Sequence, residues 1–367
     1  MSNPATHDLV LVTGATGFVA MHLIVKLLRA GHRVRGTLRD LRRAERLARV
    51  LAEHAGIADV SGQISFVEAD LGRDEGWAEA AAGCRYVLHV ASPVLAGVPK
   101  DADDVIRPAR EGTLRVLRAA ADAGVARVVM TSSVAAVLYG HPRDGGKTYD
   151  EDDWTILGEG VAPYEQSKTL AERAAWDFVA SLPEGRRFEL VTLLPGLILG
   201  PVLDKDFSVS GEVVKKLLAR EVPGCPDLGW AVVDVRDVAD AHVAAMTAPD
   251  AAGKRFVLAI EHANMIDVAK ILDRRFGPEG YRVPVRRVPN LALRVVALFD
   301  GTVALAVPDL GKRQDVSSAR ARAVLGFRPR TLEQMVVDMG ESMIRLGVVP
   351  PPKRRRARAG AAAAPAR

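Results

Sequence analysis

The chain has 367 residues, 49% of them apolar and 26% charged, which is globular composition and excludes a disordered or fibrous protein. At roughly 150 residues per domain this length predicts one large or two ordinary domains. The net charge of +5 is concentrated at one end: six of the 50 basic residues fall in 350–367, leaving 44 against 45 acidic residues in the body. That distribution argues against a nucleic-acid surface on the body, and the proline-, arginine- and alanine-rich 350–367 stretch reads as a disordered tail. Two cysteines cannot form a disulfide framework, and no run of about 18 apolar residues predicts a spanning helix. The start of the chain has no leader pattern. The expectation is a cytoplasmic protein with no membrane contact.

In chain order, short Val-, Ile- and Leu-rich runs predict buried strands at Leu9–Thr13, Arg33–Leu38, Ile64–Glu68, Tyr86–Val90, Arg127–Ser132 and Glu189–Leu194. Helical patterns fall between them at Phe18–Ala30, Leu41–His54, Asp74–Ala82, Asp101–Ala123 and Tyr164–Ser181. Near-continuously apolar strands separated by helices predict an α/β fold, a doubly wound parallel sheet covered on both faces. From about residue 200 Gly and Pro break the pattern. Residues 1–200, interleaved with part of 230–260, are expected to form a nucleotide-binding domain, and 201–347 a smaller substrate-binding lobe. Thr331 and Gln334 predict a capping box, followed by a Met335, Met339, Met343 and Leu346 stripe facing the core.

The first chemical motif is LVLVTGATGFVAMHL at 9–23. A strand runs into Gly14 and Gly17, and a helix follows with small Ala20 in its first turn. Gly14 permits a tight turn, Gly17 lets backbone approach a pyrophosphate, and Ala20 lets helix pack close to strand. The helix N-terminus then presents free N–H groups to phosphate. At the end of the second strand, where an NAD site carries an acidic residue, this chain has Arg39, with Arg42, Arg43 and Arg46 beyond. A guanidinium there suits a 2′-phosphate, so NADPH is the expected cofactor, preferred over NAD. Asp40 leaves two alternatives open, a ribose ligand or a partner for Arg39. A bland reading of the arginines is a solvated helix face with Arg42 paired to Glu45.

Thr131, Ser132 and Ser133 end the fifth strand, and 31 residues after Ser133 comes YEQSK. Tyr164 and Lys168 are four apart and share one helix face. An ammonium beside a phenol favours the phenolate, which suits Tyr164 to giving a proton to an alkoxide. His89 and His242 read as packed core histidines, and Asp234 and Asp237 as cap and first-turn acids. No Cys/His spacing suggests zinc, so no metal is expected.

Together, VTGATGFVAMHL, TLRD, ADL at 69–71, HVASP at 89–93, TSSVAAV, YEQSK, LLPGLILGP at 193–201, VDVRDVADAHVAAM at 233–246 and LGFRPRTLEQ at 325–334 carry a resemblance over residues 7–347. The chain resembles an extended short-chain dehydrogenase/reductase of the NAD-dependent epimerase/dehydratase superfamily. Within it, the chain looks like the dihydroflavonol, cinnamoyl-CoA and aldehyde (carbonyl) reductase group. The resemblance implies a Rossmann-type fold with Tyr164 as general acid, Lys168 on the nicotinamide ribose and Ser133 on the substrate carbonyl. It implies cofactor contacts from Gly14, Thr16, Gly17, Phe18, Val19, Arg39, Asp70, Leu71, Ala91, Tyr164, Lys168 and Pro195.

Plant dihydroflavonol reductases carry an asparagine where this chain has Leu138, which points away from polyhydroxylated flavonoids. The expected pocket lining is Ser92, Val94, Leu138, Tyr139, Leu197, Val202, Leu203 and Phe207. The predicted activity is NADPH-dependent hydride transfer to an aldehyde, ketone or ketoester, with a small carbonyl compound as partner. Alternatives on the same fold are a sugar-nucleotide epimerase, a hydroxysteroid dehydrogenase and a non-enzymatic NADP-sensing regulator. Monomer and homodimer both remain open.

Overall fold

The computed structural model describes residues 8–93, 99, 101–142, 146–205, 209–304 and 306–352. Val94, Phe207 and the tail from residue 353 lie outside the described residues.

The first half alternates strictly: β1 (Leu9–Val12), α1 (Phe18–Arg29), β2 (Arg33–Leu38), α2 (Ala44–Ala55), β3 (Ile64–Glu68), α3 (Trp77–Ala81), β4 (Tyr86–His89), α4 (Asp103–Asp122), β5 (Arg127–Thr131), α5 (Pro163–Ser181) and β6 (Glu189–Pro195). There follow β7 (Leu197–Leu199), α6 (Glu212–Leu218), β8 (Gly229–Asp234), α7 (Val235–Thr247), β9 (Arg255–Leu258), β10 (His262–Asn264) and α8 (Met265–Phe276). Four helices close the described chain: α9 (Asn290–Val296), α10 (Gly301–Ala304), α11 (Ala319–Leu325) and α12 (Leu332–Arg345).

Among the described residues, seven strands form one sheet in the order β3-β2-β1-β4-β5-β6-β9, and every pairing in it is parallel. Parallel neighbours require crossovers, and the helices between them bury both sheet faces. Helices α3, α4 and α5 cover one face through a core including Trp77, Leu117, Val128 and Phe188. Helices α1, α2 and α7 cover the other, and their core runs on without a break into α6, α8 and α12 through Phe256, Phe276, Met335 and Met339. A second small sheet, β10-β8-β7, sits beside the first. This is a Rossmann-type doubly wound sheet.

Two expected helices start late, for identifiable reasons. Asp40 accepts from the backbone N–H of Arg42 and opens a single 3-10 turn at Leu41–Arg43 before α2. Gly76 sits at φ 83 just before α3, outside the right-handed helical region, so the helix cannot run through it and starts at Trp77; a Cβ there would lie 1.9 Å from the Glu68 carbonyl oxygen, which requires glycine. The capping box at Thr331 and Gln334 is formed, and Met335, Met339 and Met343 are fully buried. No helix among the described residues is long and apolar enough to cross a membrane.

The strand order reverses between β1 and β4. In open parallel sheets, ligands bind at such a switch, beyond the strands' C-terminal ends. The loops after β1, β4 and β5 converge there.

Candidate active site

The loop after β1 is built around Gly14, whose φ of 67 gives the left-handed turn and whose missing Cβ lets Ala91 approach; a Cβ would lie 3.0 Å from that of Ala91. The N–H of Gly14 donates to Thr37 Oγ1 at 2.8 Å and that of Ala15 to the Thr37 carbonyl at 2.9 Å, fixing the loop against the end of β2. Gly17 is the N-cap of α1, with no side-chain cap and no acidic residue in the first turn. The helix therefore presents N–H groups and positive dipole potential with no competing carboxylate, a cradle that fits a pyrophosphate. Thr16 lies in that turn; Phe18 and Val19 are buried at the helix start.

Arg39 is exposed two residues beyond Thr37. Asp40 pairs with Arg42 and not with Arg39: its carboxylate takes both Nε and Nη2 of Arg42 at 2.9 Å. That pairing also replaces the bland expectation of Arg42 against Glu45. Asp70 accepts from the N–H of Gly72, and the Leu71 carbonyl accepts from Arg115, which orders the turn after β3.

The loop after β4 is held by one hydroxyl. Thr13 Oγ1 accepts from the N–H groups of Val90 and Ala91 at 3.0 and 2.9 Å, which leaves its own proton for His89 Nδ1 at 3.0 Å. His89 must then be neutral with its proton on Nε2. Burial and the nearby Lys168 cation push its pKa down to about 3, in agreement with that tautomer. His242 is similar: Nδ1 donates to the Val238 carbonyl and Nε2 accepts from Thr131, and burial lowers its pKa to about 4.

Ser133 is the N-cap of a 3-10 turn at Val134–Ala136 that packs on α5. Its Oγ accepts from the Ala135 N–H at 3.1 Å, so the hydroxyl proton is free to donate. On α5, Tyr164 is 52% exposed, open to an incoming molecule. Lys168 Nζ lies 5.7 Å from the Tyr164 ring centroid and donates to Ser92 Oγ at 3.0 Å. Lys168, Ser92, His89, Thr131 and Ser132 share a cavity of ≈ 10 Å³, about the size of one water.

The remaining predicted pocket residues divide. Leu138 and Tyr139 follow the Ser133 turn, and the Tyr139 hydroxyl accepts from Gln314 at 3.0 Å. Burial, reinforced by Asp309, Glu165 and Tyr164, drives the Tyr139 phenol well above its usual range. Leu197 and Leu203 pack instead against the large core, and buried Val202 donates its N–H to Ser342. The Leu203 loop is strapped to the α1–α2 side by His22 on the Pro201 carbonyl, His54 on the Leu203 carbonyl and Arg46 on Asp204. Pro195, at the end of β6, pairs with Leu258. A separate groove of ≈ 750 Å³ lies elsewhere, between 220–223 and 282–286, and contains none of these residues. Sequence reasoning missed Gln314, Arg255 and Glu172, which become neighbours of the site only through the fold.

The profile of the NAD dependent epimerase/dehydratase family matches residues 10–259. This chain belongs to that family. It is an enzyme of the extended short-chain dehydrogenase/reductase type. It is 29% identical to the NADPH-dependent methylglyoxal reductase of Saccharomyces cerevisiae, over 92% of this chain and 98% of that protein. It is 33% identical to a cinnamoyl-CoA reductase of Medicago truncatula, over 74% of this chain and 82% of that one. The crystal structure of Gre2 with NADPH from Candida albicans superposes with a TM-score of 0.76 at 27% identity, covering 92% of this chain and 99% of the other.

Proposed function

We propose that this family member is an NADPH-dependent reductase of aldehydes, ketones or ketoesters in which Tyr164 gives the proton. The observation that carries the reading is the Tyr164–Lys168 pair on one face of α5, next to the Ser133 turn and the Ser92 loop at the sheet's switch point. Relatives named as methylglyoxal and cinnamoyl-CoA reductases support the carbonyl class.

In this reading Gly14, Thr16, Gly17, Phe18 and Val19 hold the pyrophosphate and Arg39 the 2′-phosphate, while Asp70 and Leu71 border the adenine. The engagement of Asp40 by Arg42 supports NADPH over NAD, because it occupies the carboxylate next to Arg39. Ala91 and Pro195 flank the nicotinamide end. Bound NADPH supplies the hydride. Ser133 Oγ donates to the carbonyl oxygen and orients it, and Tyr164 Oη passes its proton to that oxygen as negative charge develops. Lys168 binds the ribose and adds positive charge beside the phenol. Leu138 and Tyr139 give the entrance an apolar wall, which favours apolar carbonyls and discriminates poorly among them, at about 1–3 kcal/mol per methylene. Residues 1–200 with part of 230–260 form the nucleotide unit, and 201–347 contribute the substrate lobe.

The test is Tyr164→Phe. Turnover falls by about 10²- to 10⁴-fold while NADPH, titrated by fluorescence, still binds within twofold of wild type. Full turnover in the variant would remove Tyr164 from the mechanism.

A further inference from the structure

A buried charged cluster lies directly behind the reacting groups. Glu172 is on α5, four residues beyond Lys168 and eight beyond Tyr164, and so shares their helix face. It is fully buried. Its Oε1 accepts from Arg255 Nε at 2.8 Å, Thr192 Oγ1 at 2.8 Å and Trp176 Nε1 at 3.4 Å; its Oε2 accepts from Ser132 Oγ at 2.6 Å and Arg255 Nη2 at 3.3 Å. Arg255, on β9, is itself fixed: Nη1 donates to the carbonyls of Glu151 and Asp153, and its guanidinium stacks 3.6 Å from the Trp154 ring centroid.

One carboxylate thus ties α5 to Ser132 just beyond β5, to Thr192 in the middle of β6 and to Arg255 on β9. A buried ion pair is an inefficient source of stability, since desolvation offsets most of its attraction and apolar side chains of similar volume do as well. Its distinctive effect is directional. Ser132 gives its only proton to Glu172, and the next residue is Ser133. The short 2.6 Å bond therefore locks the serine turn to the helix that carries Tyr164 and Lys168, and Ser132 also borders the small cavity beside Lys168.

We infer that Glu172, held by Arg255 and acting through Ser132, is a positioning residue that sets the distance between the Ser133 hydroxyl and the Tyr164–Lys168 face. The inference rests on the reading of Ser133, Tyr164 and Lys168 given above. Misplacing a catalytic group by an ångström costs on the order of 10²-fold in rate, so such a tether has kinetic value out of proportion to its stability.

The decisive variant is Ser132→Ala, which cuts the tether while leaving the Glu172–Arg255 pair intact, with Glu172→Gln and Tyr164→Phe run beside it. For each, kcat, KM for the carbonyl, the NADPH dissociation constant and Tm are measured on the full chain. Ser132→Ala lowers kcat about 10-fold or more, with NADPH affinity within twofold and Tm within about 2 °C of wild type. Glu172→Gln, which leaves Arg255 without its counter-ion, lowers both kcat and Tm. Wild-type kcat in Ser132→Ala overturns the inference. So does a parallel fall of kcat and Tm in Ser132→Ala, which would make the cluster purely structural. Full turnover in Tyr164→Phe is a separate result, marking a failure of the catalytic reading itself.

Discussion

Glu165 follows Tyr164 in sequence but is largely buried where Tyr164 is half exposed. Its Oε2 is buried with no hydrogen-bond partner, and burial, with Asp309 adding to it and Lys312 opposing, pushes its pKa up to about 7. A carboxyl whose folded pKa lies above its unfolded value of 4.5 binds protons more strongly in the fold, so its ionisation costs stability progressively above about pH 4.5 and in full above pH 7. Glu165→Gln therefore raises Tm by about 1–3 °C at pH 8 and leaves it nearly unchanged at pH 5. An equal shift at both pH values would place the effect elsewhere than in ionisation. Arg39 provides a second test at this scale. Arg39→Gln weakens NADPH by about 10-fold or more and leaves NADH nearly unaffected, measured by parallel titrations; equal losses for both would contradict the 2′-phosphate assignment. Arg39, Ser133, Tyr164 and Lys168 could be proposed from the sequence because each belongs to a short local motif. Glu172 was not, because its main partner Arg255 is 83 residues away and reaches it only when β9 pairs with β6.

At the level of elements, the loops after β1 and β4 behave as one unit, joined by Thr13. Its hydroxyl satisfies two half-buried N–H groups and one buried imidazole nitrogen, so Thr13→Val removes the partner of three polar groups at nearly constant shape. The expected result is a loss of about 2 kcal/mol or more in denaturant unfolding, with weaker NADPH binding; Thr13→Ser retains both. Unchanged NADPH binding in Thr13→Val would show that the two loops are positioned independently. The alternating strands and helices of the first half were readable from apolar runs and 3.6-residue periodicity. The starts of α2 and α3 were not, because periodicity cannot show that Asp40 turns back on Arg42 or that Gly76 must take a left-handed conformation beside Glu68. The packing of Leu203 against the large core was not legible for a related reason: nothing local announces that His22, His54 and Arg46 strap its loop to the first two helices.

For the whole molecule, three buried histidines weaken the fold in acid. His22, His89 and His242 have folded pKa values lowered by burial to about 4, 3 and 4 from 6.5. The unfolded chain binds protons at these sites first as pH falls, so stability present above about pH 6.5 is lost progressively toward pH 4. Glu165, Glu151 and Asp237, whose carboxyl pKa values burial raises, act in the opposite direction over part of that range, while Asp40 and Asp315, held down by Arg42 and Arg313, act with the histidines. Tm measured from pH 8 to 4 is expected to hold level to about 6.5 and then fall; a rise below pH 6.5 would refute the assignment. The doubly wound sheet explains why function was more legible than its boundaries: the motifs fall at strand ends by necessity, whereas the core joining α1, α7 and α12 is continuous and has no sequence marker. The most direct test of the central reading is loss of nicotinamide absorbance when the full chain meets a panel of aliphatic and aromatic aldehydes, ketones and ketoesters, each assayed with NADPH and with NADH. The expected result is turnover of apolar carbonyls with NADPH strongly preferred. Tight NADPH binding with no turnover of any carbonyl, or a preference for NADH, would contradict it.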